Sequence, residues 1–255
     1  MNGEIYQIAY MTAAVKYALH HKIKINYTPS KHEGKSKFKF LSAKFNSKTH
    51  KAHSVTGWYR YCVKHGLEDV KLLLPTTVHD PSILGFSNTS EGSLACFYAN
   101  GKTTYFTANW KFNTVTEEWD IYYTENSFFN EPVKKPRFEN NTNSFLTALY
   151  EIKDLAQKIG CDYFVNVFDK ARNILLGDTA DIQMEYDLPL PQIPKENLRL
   201  FQAASVADVF GAMGSWNDEP PYMAHEKGLD KEYEELSAKL LRNIRCAILY
   251  AINEW

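Results

Sequence analysis

Over the first twenty residues the apolar positions Ile5, Ile8, Met11, Val15, Ala18 and Leu19 recur mostly every three or four places. That interval returns side chains to one side of a helix, so 4–20 is expected to be amphipathic and helical, stopping near His20-His21. The period then drops to two. In 35–41, Lys35, Lys37 and Lys39 fall on one side of an extended chain, with Ser36, Phe38 and Phe40 on the other. The pattern predicts a half-buried strand, exposed or at a sheet edge, where lysines discourage pairing with another chain.

Ser54 is placed to cap a helix that turns Trp58, Tyr61, Cys62 and His65 to one side, and Gly66 stands where a helix end becomes left-handed. The apolar run 70–74 reads as a buried strand ended by Pro75. The clearest local signal is Asn100-Gly101 between the strand-like runs 94–99 and 103–112. Asn-Gly accepts positive φ, so a β-hairpin with a type I′ turn is expected. A third strand over 119–124 completes an antiparallel meander. From 126 to 142 Asn, Pro and charged residues take over, with Pro132 and Pro136 interrupting regular structure, and a linker or long surface loop is expected.

Helices dominate the remainder. Phe145, Leu149, Ile152, Leu155, Ala156 and Ile159 make one stripe over 144–159 that ends at Gly160. Asp162 is positioned to cap a second helix, ended by Gly177. The prolines of Leu188-Pro-Leu-Pro-Gln-Ile-Pro194 bias their predecessors away from helix, and Pro194 suits the first turn of a helix running to Phe210. The last helix, Asp230–Asn253, is the longest, with Tyr233, Leu236, Leu240, Ile244, Ile248 and Ile252 on one stripe. The expected class is α+β. A mainly antiparallel sheet with two helices occupies 1–125, 126–142 connects, and a helical part over 143–255 packs against it, either as a second unit or within one continuous core.

Composition changes this picture little: 255 residues with 44% hydrophobic and 23% charged side chains are enough for a core without staples. The cysteines Cys62, Cys96, Cys161 and Cys246 lie far apart with no Cys-x-x-Cys, which argues for reduced thiols. No basic-then-apolar leader opens the chain and no apolar stretch approaches the ~20 residues that span a bilayer, so a cytoplasmic location without membrane association is expected. Charge is polarised. Residues 1–75 hold 13 Lys/Arg against 4 Asp/Glu, a net of +9, and residues 76–255 hold 16 against 26, a net of −10. The two parts face each other within the fold, or a basic surface awaits an acidic partner.

Four constellations bear on chemistry. The segment 211–218, Gly-Ala-Met-Gly-Ser-Trp-Asn-Asp, has the Gly-x-x-Gly spacing with which a KH module approaches a nucleic-acid backbone. Its flanking Asp208, Asp218 and Glu219 repel phosphate, and no Gly-Lys-Ser/Thr follows to make a P-loop. Two readings stay open: a corner in which Trp216 plugs a core edge, or a contact site with Trp216, Asn217 and Asp218 turned outward. His50, His53, Cys62 and His65 carry zinc-type donors, but at irregular spacing; a helix with Cys62 and His65 on its apolar side is the simpler account, and no metal is assigned.

Lysines interleaved with Phe38, Phe40, Phe45, Trp58 and Tyr59 supply the ingredients of a single-strand binder, yet the strand pattern sends Phe38 and Phe40 into the core, away from Lys35, Lys37 and Lys39. The carboxylates Glu117, Glu118, Asp120, Asp178, Asp181, Glu185 and Asp187 sit by turns and strand ends, where solvation is the rule. No Gly-x-Ser-x-Gly elbow or His-Glu-x-x-His occurs, so no catalytic residue or cofactor is assigned. The expected binding residues are Trp216, Asn217, Asp218, Lys35, Lys37 and Lys39. The expected role is a non-enzymatic cytosolic module that binds another protein, such as a toxin neutraliser, with nucleic acid disfavoured. A nucleotide or small-molecule binding enzyme with its site near 216–218 is the alternative; the oligomeric state is left open.

Overall fold

In the structure, a computed structural model that describes residues 1–41, 50–128, 134–178 and 189–255, one mixed sheet holds every described strand. The strands are β1 (Glu33–Lys39), β2 (Lys51–Ala52), β3 (Leu67–Leu73), β4 (Ser93–Tyr98), β5 (Thr103–Asn113) and β6 (Glu118–Ser127), in the order β2-β1-β6-β5-β4-β3. Neighbours are antiparallel except β1 and β6, which run parallel. The helices are α1 (Gly3–His21), α2 (Val55–Lys64), α3 (Thr142–Ile159), α4 (Asp162–Leu176), α5 (Lys195–Ala207), α6 (Pro220–His225) and α7 (Asp230–Asn253), with a 3₁₀ turn at Pro81–Gly85. The class is α+β, with the sheet in the first half and most helices in the second.

Several local expectations need correction. The β4–β5 hairpin turns through three residues: the Gly101 amide donates to the Tyr98 carbonyl at 2.9 Å, and positive φ (81°) is confined to Gly101, Asn100 keeping an ordinary φ. This is the glycine-bulge loop rather than type I′. β1 is second from the edge, because the two residues of β2 pair with Phe38 and Lys39. β6 runs three residues beyond 124 into the stretch expected to be irregular. Cys161, not Asp162, is the cap residue of α4, and α5 stops at Ala207. Pro132 and Leu188 lie outside the described residues.

The largest departure is α1. Its period predicts one apolar stripe, but Gln7, Ala9, Thr12, Ala13, Ala14 and Lys16 are buried as well as Ile5, Ile8, Met11 and Val15. Alanines on the second side let it pass between the inner sheet face and the C-terminal helices, with contacts to β3, β4 and α7. A single apolar cluster consequently runs from Ile5 to Ile252. Thr12 satisfies its buried hydroxyl by donating to the Ile8 carbonyl at 2.6 Å.

The helical half closes the far edge of the sheet with one side chain. Asn253, 1% exposed, accepts from the Leu72 amide at 2.8 Å and donates to the Leu72 carbonyl at 2.9 Å. Its carboxamide thus stands in for a missing strand and leaves β3 nothing to pair with there. Beside it the Lys71 ammonium donates to the Asn253 carbonyl at 2.9 Å and to Glu254 at 2.8 Å. Among the described residues no helix is long and apolar enough to cross a membrane.

Candidate functional site

The N-terminal turns of α1, the ends of β5 and β6 and the approaches to β1 enclose a cavity of about 560 Å³. Strand alternation delivers Trp110 and Trp119 to the same inner face that buries Phe106, Ile121 and Tyr123 farther along. At that end of the sheet no helix covers them fully, so the two rings, 6.2 Å apart, form a wall. Helical spacing sets Tyr6 and Tyr10 one turn apart on α1, and Tyr27 leans on Tyr10 at 5.3 Å. Phe86 closes another side. Gly85 is required there: a Cβ at this position would lie 2.7 Å from that of Ala212.

Set into this apolar wall is Glu33, 7% exposed. Its carboxylate accepts from the Tyr27 hydroxyl at 2.6 Å and the Ser36 hydroxyl at 2.7 Å. Gln7 on α1 extends the relay, donating to the Tyr27 oxygen at 2.9 Å and accepting from the buried Tyr123 hydroxyl. Burial pushes the Glu33 carboxyl above the usual carboxylate range, against the pull of these hydrogen bonds, and burial likewise raises the Tyr27 and Tyr123 phenols. Among the described residues no lysine or arginine lines the cavity. A second carboxylate, Glu4, reaches it from the first turn of α1 and accepts from the Asn88 amide. Asn88, held at φ 65°, in turn donates to the Trp110 carbonyl and accepts from the Trp110 amide, locking the loop to β5. Glu33 is thus held by the hydroxyls of Tyr27 and Ser36.

The residues expected from sequence lie elsewhere. Trp216 is fully buried rather than outward: Phe164, Phe168 and Tyr233 surround its ring at 5.1–5.5 Å, and its indole donates to Ser237 at 2.8 Å. The side chains of half-buried Asn217 and exposed Asp218 accept from the amides of Gly211 and Gly214, so both serve the turn. The 211–218 segment is the core corner of the first reading, placed behind Gly85.

His50, His53, Cys62 and His65 do not converge, and no metal-holding group of His, Cys, Asp or Glu occurs among the described residues. Cys62 points inward to the Tyr98 hydroxyl at 3.7 Å, its thiol pushed up to about 12 by burial. His65, the cap residue of α2, is exposed and joins His50 in flanking the Tyr61 ring at 4.1 and 4.0 Å, while His53 is exposed. The expectation of Cys62 and His65 on one side fails: Cys62 is buried, whereas His65 follows Tyr61 to the exposed side.

Lys35 and Lys39 are exposed and Lys37 half-buried on the outer sheet face, with Phe38 and Phe40 in the core, as the alternation predicts. The sequence reading missed the rings supplied to the lysine face by the neighbouring strand: Tyr122, paired with Lys37 across β1–β6, lies under the ammonium groups of Lys37 and Lys111 at 5.2 and 5.7 Å. Asp120 accepts from the Lys35 amide at 2.9 Å, Glu117 occupies a left-handed turn position, and Asp178 is exposed. Phe45, Asp181, Glu185 and Asp187 lie outside the described residues.

No protein-family model matches the chain, and neither a curated protein nor a solved structure does.

Proposed function

We propose that the protein binds a small organic molecule, without turnover, in the cavity between α1 and the ends of β5 and β6. The supporting observation is Glu33: a carboxyl buried in an aromatic wall, oriented by Tyr27, Ser36 and the Gln7 relay, with no lysine or arginine lining the cavity among the described residues. A core that needed only stability would gain more from an apolar residue there. A cavity of about 560 Å³ lies within the range of small-molecule sites. The cytosol is the proposed setting, since all four cysteines are free.

Screening a metabolite library by thermal shift tests this. A ligand at ~100 times its Kd adds about 2.7 kcal/mol, hence roughly 5–10 °C in midpoint for a chain of this size. Trp119→Ala should abolish that rise while circular dichroism reports an intact fold. A flat response across a broad library removes the proposal.

The open lysine face favours a second reading, a module that binds an acidic protein, of which a toxin neutraliser is the concrete form. Lys35, Lys37, Lys39 and Lys111 outnumber Glu118 and Asp120 on that face, and Tyr122 offers an aromatic anchor among them. Capture from the native host should recover an acidic protein whose binding is lost on reversing Lys35 and Lys39 to Glu. Recovery of nucleic acid instead, or of no specific partner, removes this second reading.

A further inference from the structure

We infer that the ligand of the α1–β5–β6 cavity is an organic cation, its ammonium group seated between Glu33 and Glu4 and its carbon frame against the tryptophan wall. The inference rests on the small-molecule reading above and narrows its chemistry. The aromatic residues Tyr6, Tyr10, Tyr27, Phe86, Trp110 and Trp119 line the cavity. Aromatic faces carry negative potential and attract cations, most strongly when water is excluded. Among the described lining residues the acidic side chains are two, Glu33 and Glu4, with no lysine or arginine and with exposed His32 as the basic side chain. The Met1 ammonium also borders the cavity and keeps its charge, donating to the Ser205 carbonyl at 3.1 Å.

Glu33 gives the strongest reason. Hydroxyls satisfy its oxygens but supply no charge, and a buried carboxylate without a counter-charge is costly. An ammonium ion brought by the ligand provides that charge, and the preset orientation of Glu33 means little is lost in ordering it. An anionic ligand meets the opposite: two like charges. A neutral ligand gains the rings but leaves Glu33 unpaired.

Matched probes separate these cases. Calorimetric titration with 2-phenylethylammonium, 2-phenylethanol and phenylacetate, and with choline against 3,3-dimethylbutan-1-ol, holds shape nearly constant while charge changes. At least one ammonium ion should bind ten-fold or more tightly than its neutral partner, with phenylacetate weakest. That preference should fall to within about two-fold in Glu33→Gln, and Trp119→Ala should weaken cation and neutral probe alike. Glu4→Gln provides a second reading of the charge effect if Glu33→Gln does not fold. Neutral probes that bind as tightly as their cations, quenching tryptophan fluorescence that Trp119→Phe removes, overturn the cation assignment and leave the small-molecule reading standing. No binding by any probe overturns the cation assignment, and a flat metabolite screen in addition removes both.

Discussion

Replacing Asn253 by alanine tests whether one carboxamide really closes the sheet. The side chain meets both backbone groups of Leu72, at 2.8 and 2.9 Å, in a place it shares with no water-accessible surface, since it is 1% exposed. Alanine leaves a buried N–H and a buried C=O without partners, at about 1–3 kcal/mol each, so a loss of roughly 3–4 kcal/mol is expected. In a chain of this size that lowers the melting midpoint by about 6–16 °C. Asn253→Asp separates hydrogen bonding from size. Its carboxylate still accepts from the Leu72 amide but opposes the Leu72 carbonyl, so this variant should be weak at neutral pH and recover on acidification, when a protonated carboxyl donates again. The assay is chemical denaturation from pH 4.5 to 7.5 with circular dichroism. A loss under about 0.5 kcal/mol for the alanine variant, or no pH dependence for the aspartate one, refutes the edge-closing role.

Three further outcomes follow from buried groups. Trp216→Ala should cost about 3–5 kcal/mol, because it empties a site ringed by Phe164, Phe168 and Tyr233 and strands the Ser237 hydroxyl; Trp216→Phe should cost less, and urea denaturation ranks them. The Glu33 carboxyl is held above its ordinary value of 4.5, so the folded state binds its proton more tightly than the unfolded one. Its stabilising contribution is full below that ordinary value and is lost as pH rises through the folded value; Glu33→Gln should remove this decline in a denaturation series starting at pH 4. Arg245 is fully buried with one guanidinium nitrogen 3.5 Å from the Ser90 carbonyl and Nε and Nη2 without a partner among the described residues, so Arg245→Met should leave the thermal midpoint unchanged or raise it, and a fall beyond about 5 °C counts against this.

Local signals were legible where one short stretch decides the outcome. Ser54 caps α2 by accepting from the Gly57 amide at 3.1 Å, and Gly160 and Gly177 end their helices at φ 80° and 83°, as their positions predict. The alternation of 35–41 placed the lysines and phenylalanines on the correct faces. What stayed hidden depends on neighbours distant in the chain. Periodicity marks where Ile5 and Ile8 point, but not that the alanines behind them are buried as well, on a helix that also meets α7. Tyr6, Tyr10, Tyr27, Trp110 and Trp119 are each unremarkable in their own windows, since aromatic residues suit both strands and core helices. They become a site only when β6 brings Trp119 beside Trp110 and α1 crosses the same end of the sheet. Trp216 illustrates the converse: an aromatic residue in a glycine-rich turn looks like a surface anchor until α4 and α7 close around it.

The parallel contact between β1 and β6 has a kinetic consequence. Strands β4 to β6 can assemble from neighbours in the chain through short turns and β3 joins them across the longer connection 74–92, whereas β1 must wait for the last of them and pay a large loop-closure entropy to join. The cavity, which borrows walls from both sets, is therefore completed late. Substitutions in the β4–β5 hairpin should slow refolding, while those in β1 should mainly hasten unfolding, so ligand competence trails the recovery of β-structure in a stopped-flow experiment.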